Sequence, residues 1–290
     1  MPELPEVETT VRGLKSRVLN RTFVDAWTDF PKMVKRPEGF DEFKKGILGK
    51  KIENVRRRAK NILIDLSGGK VLLIHQKLTG HLLVGEWKRA DGKWRPTGKG
   101  PLSDSVNSFI HLIFWLDKGM LALSDLRKFA KVELWDRKEL EESKEFKKIG
   151  PEPLDESFGF KEFKNILAGK KGKIKQVLMD PNVIAGIGNI YSDEILFRAK
   201  VHPLKNVFKL KKGELKEIYK TMKDVLPKAI KLEGESFSDF RKVDGSKGFF
   251  DKERKVYRKE GENCPNCGNM IKRIKTGSRS AHFCPSCQKL

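Results

Sequence analysis

Two Cys-x-x-Cys pairs stand near the end of the chain, Cys264-Pro265-Asn266-Cys267 and, sixteen residues on, Cys284-Pro285-Ser286-Cys287. Each pair can place two thiolates along one edge of a tetrahedron, so the two together suit Zn²⁺ with no position left for water. A closed four-thiolate site offers no Lewis-acid chemistry, and zinc there folds a small hairpin. A pair of redox dithiols is the competing reading, which the zinc-ribbon spacing disfavours. At the other end, Met1-Pro2-Glu3-Leu4-Pro5-Glu6-Val7-Glu8-Thr9 puts a small residue after the initiator and acids in the first turn of a helix. Once Met1 is removed, Pro2 is a secondary amine able to attack an electrophilic carbon and form an iminium. An α-amino group has a reference pKa of about 7.7–8.0 against about 10.4 for lysine, and a positive helix terminus lowers it further. Glu3 can donate or relay a proton beside that amine, although an acid there is also an ordinary partner of the helix dipole.

The elements that must position these groups follow from periodicity. Leu4, Val7, Val11, Leu14 and Val18 repeat at the spacing of one helix face, with Pro5 tolerated in the first turn. Short β-rich runs follow at 62–66, 71–74, 82–84, 109–115, 120–123 and 132–135, separated by turn signals such as Ser67-Gly68-Gly69 and Asp117-Lys118-Gly119. They predict an antiparallel sandwich or barrel. A charged stretch, 136–148, leads into Gly150-Pro151-Glu152-Pro153, which reads as a hinge or domain boundary. Helices are predicted at 161–168, 174–179, 190–199 and 214–231, and a Gly-, Ser- and charge-rich segment over 233–255 reads as a mobile loop.

At 290 residues the chain has room for two domains. Its 61 Lys and Arg against 39 Asp and Glu leave a net charge of +22, which points to a polyanion such as a phosphate backbone. A merely solvated basic surface is the bland alternative. No run of about 18 apolar residues and no signal-peptide pattern is present. The expectation is a soluble intracellular protein, cytoplasmic and prokaryotic, associated with the nucleoid through its function. Lys272, Arg273, Lys275 and Arg279 lie between the cysteine pairs and suit a DNA-gripping ribbon.

Met1 to Thr9 resembles the N-terminal signature of the formamidopyrimidine-DNA glycosylase (Fpg/MutM) family. Four further segments are similar to that family: Arg56-Arg57-Arg58-Ala59-Lys60; Asp125-Leu126-Arg127-Lys128-Phe129; Met179-Asp180 through Gly186-Ile187-Gly188-Asn189-Ile190-Tyr191; and Arg279-Ser280-Ala281-His282-Phe283-Cys284. The likeness is collinear from residue 1 to 290. It implies an enzyme that flips a lesion out of the duplex, attacks C1′ with the N-terminal proline and cleaves the strand by β and δ elimination. By position it implies Pro2 as Schiff-base nucleophile, Glu3 as general acid at the sugar, Lys60 as an acid in β-elimination, and Arg279 as an acid or phosphate ligand in δ-elimination. The bland alternative for Lys60, which follows three arginines, is one more phosphate contact.

The same resemblance implies DNA contacts. Gly186-Ile187-Gly188-Asn189 corresponds to the second turn of a helix–two-turn–helix, with Asn189 expected to cap the helix that points at a phosphate. Lys170 and Lys175 correspond to lysines that grip the backbone, the alternative being a solvated basic turn. Arg127 and Phe129 correspond to two wedges that fill the space of the flipped base. The third is Leu78, in place of the usual methionine, still an apolar wedge. Phe109 stands where a DNA-contacting histidine is common, with His111 two residues on as a DNA-contact or structural residue, and Ala281 replaces a common Ser or Thr.

The expected fold is α+β: an N-terminal helix plus antiparallel β-sandwich (2–136), a hinge (137–150), a helical helix–two-turn–helix domain (151–235), a lesion-covering loop region (236–256) and a C-terminal four-cysteine zinc-finger hairpin (257–290). The expected activity is that of a bifunctional glycosylase/lyase for oxidised purines, acting as a monomer on double-stranded DNA that contains oxidised bases or abasic sites, with one structural Zn²⁺. The Asp244-Gly245-Ser246-Lys247-Gly248-Phe249 loop and the N-terminal signature favour purines over a Nei-type preference for oxidised pyrimidines. Pro2 with Glu3 disfavours a non-catalytic zinc-ribbon DNA-binding protein.

Overall fold

The computed structural model describes residues 1–236 and 239–290. Residues 237 and 238, part of the segment expected to cover a lesion, lie outside the described residues. The chain divides into two compact units, residues 1–147 with 232–251, and residues 148–231 with 252–290.

In the first unit, helix α1 (Leu4–Val18) carries the apolar stripe read from the sequence, with Leu4, Val7, Leu14 and Val18 inaccessible to solvent. The strands are β1 (Phe23–Thr28), β2 (Val34–Arg36), β3 (Ile52–Arg58), β4 (Asn61–Leu66), β5 (Lys70–His75), β6 (His81–Gly85), β7 (Trp87–Ala90), β8 (Lys93–Pro96), β9 (Ile110–Leu116), β10 (Met120–Ser124) and β11 (Lys131–Asp136), with helix α2 (Phe40–Ile47) between β2 and β3. They form a four-stranded sheet, β1-β9-β10-β6, and a five-stranded sheet, β2-β11-β5-β4-β3. The sandwich is antiparallel except that β2 runs parallel to β11, a departure from the purely antiparallel expectation. Phe23, Phe114 and Leu121 from one sheet, Ile64, Leu72 and Val132 from the other, and Val7 and Val11 of α1 share one core.

Both sheets are also covered on their outer faces, which explains strands such as β4 that are buried along almost their whole length. The β7–β8 hairpin, turning at Asp91-Gly92 with both residues at positive φ, covers the four-stranded sheet. Trp87 packs there with Leu83 and Ile113, flanked by Trp27, Trp94 and Trp115. Over the five-stranded sheet lie two short helices, α3 (Arg137–Glu142) and α4 (Lys144–Lys147). Leu140 packs on Leu63, Val71 and Leu73, with Phe146 alongside. These helices occupy most of the charged stretch read as a hinge. Their charges face water while two apolar residues, too sparse to show a period, hold them down.

The second unit contains α5 (Phe160–Ala168), α6 (Ile174–Met179), α7 (Asn189–Arg198), α8 (Lys212–Lys231) and the hairpin β12 (Lys272–Thr276) and β13 (Arg279–Phe283). The division between the units falls at 147/148, beside the motif read as a hinge or domain boundary, and Gly150 itself is packed: a Cβ there would meet the Val183 backbone at 2.7 Å, and Ala185 N–H donates to Pro151 C=O at 2.9 Å. Among the described residues no helix is long and apolar enough to cross a membrane.

The 233–255 segment is tied down where it is described. Val243 lies in the sandwich core, its C=O accepts Val84 N–H at 2.7 Å, and Gly245 C=O accepts Asn107 Nδ2–H at 3.2 Å. The reading as a mobile loop is thus corrected for these residues. Their polar composition hid the backbone bonds that long-range packing supplies.

Close approach makes Gly80 a sharp test of the sandwich. A Cβ there would lie 2.5 Å from Gln76 C=O, whereas one on Gly98 would meet nothing within 4 Å. Gly80→Ala is expected to destabilise by about 1–3 kcal/mol and Gly98→Ala by less than about 0.5 kcal/mol, read from urea unfolding midpoints.

Candidate active site and nucleic-acid interface

Pro2 is buried and Glu3 is the N-cap of α1. A capping box fixes the turn: the Glu3 carboxylate accepts the Glu6 N–H, and Glu6 Oε2 accepts the Glu3 N–H at 2.8 Å. The capping bond shows Glu3 as an ordinary partner of the helix start, one of the two readings its position offered. Glu6 is almost wholly buried, and its other oxygen accepts the Glu235 N–H at 2.8 Å. Lys60 sits in a two-residue turn, Ala59-Lys60, closing β3 onto β4, with Ala59 at φ 54°. Arg57 joins that turn to α1, since its Nε lies 3.1 Å from Glu8 Oε2 and its Nη1 donates to Ala59 C=O. Burial pulls the Glu8 carboxyl up, but Arg12 and Arg57 outweigh it and hold the group below its usual range.

Leu78, Arg127 and Phe129 stand on two turns that one carboxylate joins. Asp125 is fully buried; it accepts the Thr79 hydroxyl, the Arg127 N–H at 3.3 Å and the Ala130 N–H at 2.7 Å. Thr79 Oγ1 also accepts the Arg127 N–H at 3.1 Å. Leu78 is partly exposed, Phe129 is 52 % exposed, and the Arg127 guanidinium lies 4.6 Å from the Phe129 ring centre. The matched segment contains Asp125, yet sequence reasoning used it only for its Arg and Phe.

His75, at the end of β5, was missed altogether. Its Nδ1 accepts the Lys77 N–H at 3.0 Å, so the neutral ring carries its proton on Nε2. Burial, then the Lys77 and Lys60 ammonium groups and finally that of Lys131, push its pKa down to about 3. An imidazole held neutral among lysines is a hydrogen-bond donor beside Lys60. His111, read as a DNA contact or a structural residue, has its Nδ1 2.9 Å from Asp29 Oδ1 and its side chain largely covered. The Asp29 carboxylate takes Nδ1, which favours the structural one of the two readings of His111.

In the second unit Gly186 adopts φ 83°, a conformation glycine reaches without strain, just before α7. The N-cap is Gly188, with no side-chain cap, and Asn189 is the first helical residue. The expectation that Asn189 caps the helix is corrected: the backbone enters the helix one residue earlier than the first cap-type side chain suggests. Its Oδ1 is buried with no hydrogen-bond partner among the described residues. Lys170 is exposed, as a backbone contact requires, but Lys175 is fully buried. Lys175 Nζ donates to Asp193 Oδ1 at 2.6 Å and to Ser280 C=O at 2.7 Å, so the expectation that it grips DNA is corrected. Arg279 is exposed on the residue that follows the Gly277-Ser278 turn of the β12–β13 hairpin. Ala281 points inward, fully buried, and its replacement of Ser or Thr removes no surface hydroxyl.

The four cysteine sulfurs lie within 4.8 Å of one another, with Sγ–Sγ separations of 3.8 Å for Cys264–Cys287 and 3.5 Å for Cys267–Cys284. A tetrahedral Zn²⁺ with Zn–S bonds of about 2.3 Å needs edges of about 3.8 Å, so the donor set fits that ion.

A profile of the formamidopyrimidine-DNA glycosylase N-terminal domain matches residues 1–132, that of the H2TH domain of the same enzymes residues 149–241, and that of a zinc finger found in FPG and IleRS residues 261–290. The chain belongs to the formamidopyrimidine-DNA glycosylase family. It is 36 % identical over 291 residues to the formamidopyrimidine-DNA glycosylase of Pelotomaculum thermopropionicum, covering 100 % of both chains. The Lactococcus lactis Fpg in complex with Fapy-dG-containing DNA superposes with a TM-score of 0.86 at 35 % identity, over 99 % of this chain and 100 % of that one. The same enzyme bound to DNA containing an abasic site gives 0.87 at 35 % identity and the same coverage.

The His75 environment sets a pH dependence. The unfolded imidazole takes up a proton near pH 6.5 and the folded one only near 3, so the unfolded state binds the extra proton between them and stability falls as pH drops through that window. NMR of the ring nitrogens is expected to show neutral His75 with its proton on Nε2 at about pH 5, and His75→Gln should flatten the loss of melting temperature between about pH 6.5 and 4. An imidazolium at pH 5 would contradict this environment.

Proposed function

We propose that the chain is a bifunctional DNA glycosylase and abasic-site lyase of base excision repair, excising oxidised purines such as formamidopyrimidines and 8-oxoguanine through the amine of Pro2. The buried Pro2, with Glu3 locked beside it by the capping box and the Lys60 turn joined to α1 through Arg57, carries the reading. With Met1 removed, the amine attacks C1′ as the base departs with its electron pair and takes up the amine's proton, and Glu3 protonates the sugar ring oxygen so that the ring opens to an iminium. The iminium acidifies the C2′ proton. Its loss expels the 3′ phosphate, with Lys60 serving as an acid in this β-elimination. Arg279 serves the δ-elimination as acid or phosphate ligand. Leu78, Arg127 and Phe129 fill the space of the flipped nucleotide, and Lys170 and Asn189 bind the backbone.

The partner is double-stranded DNA with oxidised bases or abasic sites, engaged by a monomer. In this reading residues 2–136 carry the chemistry, 151–235 and 257–290 hold the duplex, and 236–256 cover the lesion. Zn²⁺ held by Cys264, Cys267, Cys284 and Cys287 would fold the knuckles and supply no chemical step.

Borohydride reduction in the presence of a lesion duplex should trap a covalent adduct, and peptide mapping should place the deoxyribose on Pro2. Pro2→Gly is expected to lower base excision and trapping together by orders of magnitude, because it removes the secondary amine. An adduct on Lys60, or none at all, would overturn the assignment. A panel of oxidised pyrimidine and purine duplexes separates the Nei-type preference.

Any single Cys→Ser change at the four positions should release one Zn²⁺ per chain, measured by metal analysis, and unfold the hairpin while the sandwich stays folded. Structural zinc contributes about 10–16 kcal/mol of apparent binding free energy in small modules. Freshly purified protein without zinc would contradict the four-thiolate site.

A further inference from the structure

Among the described residues, the strand that carries Arg279 has only one partner strand. Residues 279 to 283 pair with 272 to 276 of β12, and this two-stranded ribbon has a second edge whose main-chain groups need partners. Those groups meet two side chains of the helical part of the unit. Ser280 C=O accepts Lys175 Nζ–H at 2.7 Å, and His282 N–H donates to Asp193 Oδ2 at 3.0 Å. Residues 280 and 282 alternate on one edge, so the ammonium stands where a strand's N–H would be and the carboxylate where its C=O would be.

Asp193 is the centre of this arrangement. Its Oδ1 accepts Lys175 Nζ–H at 2.6 Å, while Oδ2 faces both the main-chain N–H and ring Nδ1 of His282, each at 3.0 Å. The side chains of Lys175 and Asp193 are wholly buried, and that of His282 is only 5 % exposed. The other face of the imidazole is also occupied, by the Tyr257 ring at 5.1 Å and by Glu260 Oε2 at 3.4 Å from Nε2. Arg279 adjoins Ser280 at the tip, beyond the cysteines that anchor the base of the ribbon.

We propose that Asp193 is a positioning residue for Arg279: with Lys175 it imitates a third strand along β13 and fixes the direction in which the Arg279 tip projects from α7. The inference rests on the reading of Arg279 as the group that serves δ-elimination. The cysteine site closes the ribbon at one end only. Between that end and the tip, the Asp193 and Lys175 bonds hold the outer edge, so their loss leaves the ribbon folded and its tip loosely aimed.

The test is a double-mutant cycle in the full chain, read as zinc content and as the ratio of δ- to β-elimination product on a duplex with a pre-formed abasic site. Asp193→Asn keeps the side-chain shape and one acceptor, and is expected to retain zinc while lowering the δ/β ratio about 10- to 100-fold, the scale of a misplacement of about 1 Å. In an Arg279→Ala background the same change should have less than about a twofold effect, because the group it positions is gone. His282→Phe, which keeps a ring against Tyr257 but loses Nδ1, should shift the ratio in the same direction and couple to Arg279 in the same way, and it serves if Asp193→Asn does not fold. Independent, multiplying effects of Asp193→Asn and Arg279→Ala, or an unchanged ratio in Asp193→Asn, would overturn the positioning role while leaving the function of Arg279 intact. If Arg279→Ala alone leaves the ratio unchanged, the reading of Arg279 fails, and this inference with it.

Discussion

A carboxylate taken out of water must be given donors, and the cost of leaving one unpaired exceeds the net gain from most single contacts. Four such groups organise this protein. Glu6 gathers the main-chain N–H groups of Glu3 and Glu235, and Asp125 gathers those of Arg127 and Ala130 with the Thr79 hydroxyl. Asp193 takes Lys175 and His282. Glu194, next to it on α7, accepts the successive N–H groups of Lys255, Val256 and Tyr257 at 2.9–3.0 Å. Glu6, Asp125 and Glu194 lend carboxylates to irregular backbone that has no ladder of its own, and Asp193 serves the outer edge of a two-stranded ribbon. The residues with candidate chemistry stand on or beside that backbone.

Burial and donors pull Glu194 in opposite directions. For Glu194 burial raises the carboxyl pKa above its ordinary value, opposed by the three N–H groups and Arg198. Such a group is held by geometry rather than by net charge, so substitution by the amide keeps shape while altering which neighbours can donate. His75 shows the converse at the other unit, an imidazole that burial and nearby lysines keep neutral. The basic excess therefore acts on this protein's own titrations as well as on any polyanion it meets.

Much of the architecture was legible. The stripe Leu4, Val7, Val11, Leu14 and Val18 became α1 from Leu4 to Val18, and 174–179 became α6 at those bounds, because each buries one face at a regular period. The six anticipated β runs are all strands. Strands β1, β2 and β3 went unread because they are short or rich in charge, and the β7–β8 hairpin went unread although Asp91-Gly92 is a strong turn signal. Helices α3 and α4 looked like a charged hinge, since Leu140 and Phe146 alone mark their buried side.

Sequence by itself determined the chemistry-bearing types and their spacing: the N-terminal Pro2-Glu3, Lys60 after its run of arginines, the two cysteine pairs and the family to which they belong. Those depend on covalent order, which spacing records directly. Tertiary structure decided what each side chain faces. It placed Lys175 and His111 against carboxylates, made Gly188 rather than Asn189 the cap of α7, and joined the turns of Leu78 and Arg127 through Asp125. These partners lie tens of residues apart and answer to burial and hydrogen bonding, which leave no period or spacing in the chain.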